Sequence, residues 1–316
     1  MRARVLVAVA LLTAGCAGGS SAPRQSAPLP HTAGSTTAQA VTYSGSGPCG
    51  RRSTTTYRHI IWIWMENRTY SSVLGSGSAA PKLSAYARKC GLATASYAVT
   101  HPSLPNYLAA TSGSTGGVSS DCSPASCPQN RRSLFAQIQN AGKQWRAYVE
   151  SMPRNCFGSS SGSYAPKHNP AAYFTPVRSR CRSWDVPMGG SSGAFATALA
   201  QATLPAFSFV TPNLCHDGHD CSTSSADAWL GTWLGRITAS AAYRAADTAV
   251  FVTWDEGVGS DQHIATVVIA PTVPAGLRVT TRFTHYSLLR TTEDLLGLPR
   301  LGSAATARSM RVGFHL

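Results

Sequence analysis

Five short segments of this chain are almost wholly aliphatic or aromatic: 59–65 (HIIWIWM), 92–99, 206–211, 249–254 and 264–270. Apolar on every side and only six to eight residues long, they suit strands covered on both faces. Helical candidates at 79–89, 132–141, 191–201, 225–239 and 286–296 fall between them. That alternation predicts an α/β domain with a central, mostly parallel sheet flanked by helices. Residues 57–316 fit one such domain, with no second linker and no internal repeat.

Polar residues collect where these runs end. Glu66 and Asn67 follow the first run, Thr100 to Asn106 the second, Pro212 to Asp220 the third, and Asp255 with Glu256 the fourth. Ligands of open α/β sheets bind beyond the carboxyl ends of strands, so the four segments should converge. The chain has only 13 carboxylates, yet Glu66, Asp217, Asp220, Asp255 and Glu256 all lie in these segments. His101, His216 and His219 join them, and His263 begins the fifth run. Carboxylates and imidazoles gathered at strand ends are what a divalent cation needs.

The N-terminus reads as an export signal. Arg2 and Arg4 precede an apolar run from Val5 to Leu12, and Leu12-Thr13-Ala14-Gly15-Cys16 resembles a bacterial lipobox, so residues 1–16 imply secretion with lipid attachment at Cys16. Residues 17–56, rich in Ser, Gly, Pro and Thr, read as a flexible tether spanning roughly 35 Å. Of nine cysteines, eight remain after Cys16, an even set that suits bridges in an oxidising compartment. The expected pairs run in chain order: Cys49–Cys90, Cys122–Cys127, Cys156–Cys181 and Cys215–Cys221. A formal charge of +14 with only 13% charged residues favours anionic substrates such as phosphate esters. The arginines are scattered and form no basic stripe, which argues against nucleic acid.

The turn Thr100-His101-Pro102-Ser103-Leu104-Pro105-Asn106 offers a hydroxyl nucleophile ahead of a helix expected from about Pro105, whose free N–H groups suit an anion. Ser103 could instead merely cap that helix. The stretch 59–75 (HIIWIWMENRTYSSVLG) resembles the signature of the bacterial phosphoesterase family, which holds acid phosphatases and non-haemolytic phospholipases C. HPSLPNYLAATSG (101–113), FVTPNLCHDGHD (209–220), VTWDEG (252–257) and THYSLLRTTEDLLGLP (284–299) match in order, closest to secreted mycobacterial-type acid phosphatases, some of which act on phosphoinositides.

The resemblance implies an alkaline-phosphatase-like fold and hydrolysis of phosphate monoesters through a phosphoserine at Ser103, with Asn106 on a phosphate oxygen. It implies a divalent cation held by Glu66, Asn67, Asp255 and Glu256. Asp217, His219, His216, His263 and His101 would face the substrate or a second metal. The spacing Asp217-Gly218-His219 is shorter than two-zinc relatives use, which offers His219 an alternative role as the acid for the leaving alkoxide. Phosphodiester cleavage of the phospholipase C type and non-catalytic capture of phosphorylated ligands are the alternatives. Loops 114–130 and 150–190 would set specificity, and one copy of the chain would suffice.

Overall fold

The structure, a computed structural model, describes residues 47–53 and 55–316. The expected leader, the lipid-attachment residue Cys16 and most of the tether lie outside the described residues. Strands β1 (His59–Met65), β2 (Gly91–Tyr97), β3 (Trp145–Val149), β4 (Asp185–Pro187), β5 (Phe207–Thr211), β6 (Thr248–Trp254), β7 (His263–Ile269), β8 (Leu277–Val279) and β9 (Phe283–Thr284) form one sheet. Its order is β4-β3-β5-β1-β6-β7-β2-β8, with β9 also beside β2. Every neighbouring pair is parallel except the two that β7 makes, with β6 and with β2.

The helices are α1 (Tyr70–Leu74), α2 (Pro81–Lys89), α3 (Ser103–Ser112), α4 (Leu134–Asn140), α5 (Arg178–Trp184), α6 (Ala194–Ala200), α7 (Thr223–Ala239), α8 (Ala241–Arg244) and α9 (His285–Leu296). The five expected strands and five expected helices are all present. Helix α3 begins at Ser103 itself, two residues before the expected start, and Asp121 Oδ1 accepts from the Leu104 N–H at its first turn, 3.0 Å away. Thr111 and Ser112 return hydroxyls to carbonyls four residues back, and Gly113 ends the helix in the left-handed region. All ten residues of α3 are buried, so the helix is a wedge inside the domain.

The central strands explain the apolar runs. β1 lies between β5 and β6, and Ile60, Trp62 and Trp64 are fully buried with their neighbours Ile61 and Ile63. Trp62 meets Phe207 edge to face at 5.0 Å, and Trp64 stacks on Phe209 at 5.8 Å. Aromatic side chains of this size dominate core energetics. The four disulfides pair as expected: Cys49–Cys90, Cys122–Cys127, Cys156–Cys181 and Cys215–Cys221. Cys49 falls within the stretch read as a tether, yet it is buried, and the Arg51 N–H donates to the Pro271 carbonyl. The end of that stretch is therefore packed against the domain, because the bridge to Cys90 holds it there.

Candidate active site

Strand register assembles the site. β1 and β6 run in step from His59 opposite Thr248 to Met65 opposite Trp254, so Glu66 and Asp255 emerge side by side. The Asp255 N–H donates to Met65 O at 2.9 Å, and the Glu66 N–H donates to Asp217 O at 2.9 Å. Asn67, at φ 47°, turns the chain so that its own N–H reaches Asp255 Oδ1 at 2.9 Å. Asparagine tolerates that left-handed backbone better than most residues. Two glycines permit the same crowding: Gly218 has φ +97°, and a Cβ on Gly257 would lie 1.7 Å from Asp261 O.

Ser103 Oγ donates to Glu66 Oε2 at 3.1 Å. The Tyr107 hydroxyl, one helical turn later, donates to Glu66 Oε1. The first turn of α3 therefore presents both hydroxyls to one carboxylate. Ser103 is only 1% exposed, and Glu66, Asp217 and Asp255 are fully buried. His285 Nε2 contacts the Asp255 carbonyl at 2.5 Å and packs against Trp64, bracing the site from behind. The N-cap of α9 is Thr284, in a capping box with Ser287, so His285 is not the cap.

One residue of this cluster carried no signal in the sequence reading. His168, in the 3₁₀ turn Pro166–His168, places Nε2 3.2 Å from Glu66 Oε1 and Nδ1 3.2 Å from Asp217 Oδ2. Its ring lies flat on Tyr107, centroids 5.5 Å apart and planes 7° from parallel. The two carboxylate approaches have the distance of hydrogen bonds but not the alignment, so His168 Nε2 and Asp217 Oδ2 stay unpartnered, as does Asp255 Oδ2.

Burial sets the protonation of the cluster. It pushes the Glu66 carboxyl well up, helped by repulsion from Asp255 and Asp217, and raises Asp217 to about 7. Asp255 is also raised by burial, and Tyr107 is raised by burial and by its carboxylate neighbours. The same burial lowers His168 to about 3, so the imidazole is neutral and carries one proton between two carboxylates. Three buried carboxylates, two of them with an orphaned oxygen, and a single neutral imidazole are short of positive charge. Oxygen donors of this kind suit a divalent cation. Glu66, Asp255 and the Ser103 hydroxyl are the donors already gathered.

The other expected site residues divide. Glu256 Oε2 accepts from Asn106 Nδ2 at 3.2 Å and lies 2.9 Å from His101 Nδ1. Burial and the neighbouring Asp255 push Glu256 up to about 8, while burial lowers His101. Near pH 7 that contact joins two neutral groups, and Glu256 Oε2 is occupied by Asn106 and His101. Asn106 is buried and engaged on both sides of its amide. Its Oδ1 accepts from Val99 and Thr100 N–H, and its Nδ2 donates to Thr100 O, Pro102 O and Glu256, so the amide braces the 99–102 turn.

Two histidines sit apart from the carboxylates. His216 Nδ1 lies 2.9 Å from Glu150 Oε2, and Glu150 Oε1 takes the Trp229 indole N–H, a separate cluster. His263 stands at the same sheet edge because β7 is reversed, but its ring is stacked between Tyr70 and Tyr97 and its Nε2 contacts Thr94 O. No contact takes it to the carboxylates. His219 does join the cluster's rim: its ring lies 5.8 Å from His168, and Asp220 Oδ1 holds its Nδ1 at 2.6 Å. Cys156, Cys181 and Asp185 also lie close together, but the sulfurs are bonded to each other and leave no thiolate for a metal.

A cavity of about 440 Å³ adjoins this site, lined by Asp121 and Lys167 among others. Lys167 Nζ lies 2.8 Å from Asp121 Oδ2, and Asp121 Oδ1 is the group that accepts from Leu104 beside Ser103. Binding cavities commonly run from about 300 to 1,000 Å³.

The family model for the Phosphoesterase family matches residues 76–299. Glu66 and Asn67 precede the matched segment and are tied to it by the β1–β6 register. A phosphatidylinositol-3-phosphatase of Mycobacterium tuberculosis is 34% identical over 259 residues, covering 80% of this chain and 81% of that protein. An acid phosphatase of Aspergillus fumigatus is 29% identical over 78% of this chain, which spans only 56% of that fungal protein. Among solved structures, a protein in the alkaline phosphatase superfamily from Vibrio parahaemolyticus aligns at TM-score 0.56 and 14% identity, over 83% of this chain and 73% of that one. A phosphonate monoester hydrolase from Silicibacter pomeroyi aligns at TM-score 0.51 and 14% identity, over 82% and 76%. At that identity the likeness speaks for the fold alone.

Proposed function

This chain belongs to the phosphoesterase family and is a phosphoric ester hydrolase of alkaline-phosphatase-like fold, and on that premise we propose that it cleaves phosphate monoesters through Ser103. The observation that carries the reading is the Ser103 hydroxyl 3.1 Å from Glu66 Oε2, at the centre of a buried carboxylate cluster short of positive charge. Glu66 and Asp255 would hold a divalent cation, with Asn67 and Glu256 adjacent in the chain and able to complete the set by side-chain rotation. When bound, that cation supplies Lewis acidity: it lowers the pKa of a coordinated hydroxyl and neutralises phosphoryl oxygens.

The chain's own groups do the rest. Glu66 orients the Ser103 hydroxyl and is the nearest acceptor for its proton. Ser103 Oγ then forms a bond to phosphorus as the ester P–O bond breaks, leaving phosphoserine. His219, held at Nδ1 by Asp220, presents its other nitrogen to protonate the departing alkoxide. Water next attacks the phosphoserine, and inorganic phosphate leaves as Ser103 regains its proton. Because Ser103 is 1% exposed, substrate entry requires covering side chains to move. His101 and Lys167, the partly exposed groups beside it, are placed to do so.

Export and anchoring through Cys16 belong to the same reading. Four disulfides support an oxidising compartment, and the lipobox supports the anchor. A phosphoinositide is a candidate substrate, on the name of the mycobacterial relative. The test is single-turnover labelling with a phosphorus-labelled monoester. Wild type should trap label on Ser103, and Ser103→Ala should lose about a thousandfold or more in kcat; turnover near the wild-type rate in that variant would refute the reading.

A further inference from the structure

Resting on that catalytic reading, we infer that the protein carries a second-anion subsite, formed by Arg154, Arg178 and Arg182, for phosphate esters bearing another anionic group. The cavity lined by Asp121 and Lys167 shares Ala125, Gly158 and Ser159 in its walls with a second one of about 520 Å³. The near cavity ends at the Lys167–Asp121 pair; the far one is lined by the three arginines and by no carboxylate. None of the three takes part in an ion pair among the described residues.

Like charges would ordinarily spread apart, yet here covalent structure holds them together. The Cys156–Cys181 bridge joins the segment carrying Arg154 to helix α5, where Arg178 and Arg182 sit one turn apart on the same face. The Arg154 guanidinium is seated over the Phe157 ring at 4.5 Å, and Asn155 Nδ2 donates to Arg182 O at 3.0 Å. Three guanidiniums gathered without a counterion form a receptor for an oxyanion. Running from Asp121, which holds the Leu104 N–H next to Ser103, to these arginines, the groove fits an organic group with the scissile phosphate at one end and a second phosphate at the other.

The test compares kcat/KM for p-nitrophenyl phosphate and for a soluble sugar bisphosphate in wild type, Arg178→Ala/Arg182→Ala and Ser103→Ala. The arginine double variant should lose about tenfold or more on the bisphosphate, less at 0.5 M salt, while staying within about twofold on p-nitrophenyl phosphate. A parallel arm displays a bisphosphorylated headgroup on lipid vesicles: selective loss in either arm supports the subsite and identifies its source. Equal losses on both substrates, or none on any bisphosphate, overturn it. Ser103→Ala reports separately on the catalytic reading, since its failure to abolish turnover leaves the arginine comparison intact.

Discussion

Replacing Asp217 with asparagine should make the metal-free protein more stable, and only above about pH 4. Asp217 Oδ1 accepts from the His219 N–H at 2.7 Å, a bond that an asparagine carbonyl retains, while Oδ2 has no aligned partner. Burial lifts this carboxyl from 3.8 to about 7. The folded state thus binds a proton that the unfolded state releases between those values, so stability falls as pH rises across that window and is level below it. At about 1.36 kcal/mol per unit, the shift corresponds to about 4 kcal/mol. Glu66 and Asp255 titrate together with Asp217, so about 2 to 4 kcal/mol is expected.

In thermal unfolding with EDTA, Asp217→Asn should match wild type near pH 4 and exceed it by about 5–10 °C at pH 8. Excess magnesium or calcium should shrink the gap, because the cation supplies the missing charge to wild type. A gap that is constant with pH, or one that opens in favour of wild type as pH rises, would refute the proton argument.

Three further outcomes follow from the same geometry. Tyr107→Phe removes a buried donor to Glu66 and should cost about 1–3 kcal/mol of stability, read by urea unfolding, with a fall in kcat larger than any rise in KM. Stripping divalent ions should abolish monoesterase activity and lower the melting temperature, and adding back an oxygen-preferring cation should restore both; activity that survives exhaustive chelation would exclude the cation role. His216→Ala should keep kcat/KM within about twofold, since its ring is engaged with Glu150 and not with the carboxylate cluster.

Strand positions were legible wherever both faces are buried. β1, β2, β5, β6 and β7 stand out as apolar runs, but β3 carries Arg146 in WRAYV, which donates to Ser183 O at the edge of the sheet, and so it blends with loop sequence. β4, β8 and β9 are two or three residues long, too short for periodicity to speak. The reversed β7 has no local signature either, since strand direction is decided by the connection. Glu66, Asp255 and Ser103 were visible as rare polar residues at strand ends. His168 was not, because it sits in a long loop, although Pro166 and Pro170 on either side rigidify it and could have flagged it. His216 shares the loop between β5 and α7 with Asp217, yet its ring contacts Glu150 and not the buried carboxylates.

The neighbours of β1 in the sheet are β5 and β6, about 150 and 190 residues further along the chain. Glu66 therefore waits for Asp217 and Asp255: the front half of the polypeptide supplies Glu66, Ser103 and Tyr107, the back half His168, Asp217 and Asp255, and neither holds the full constellation. Contacts of such long sequence separation form slowly. Esterase activity during refolding should consequently follow the pairing of β1 with β5 and β6, and a fragment lacking β6 should lack Asp255 and be inactive.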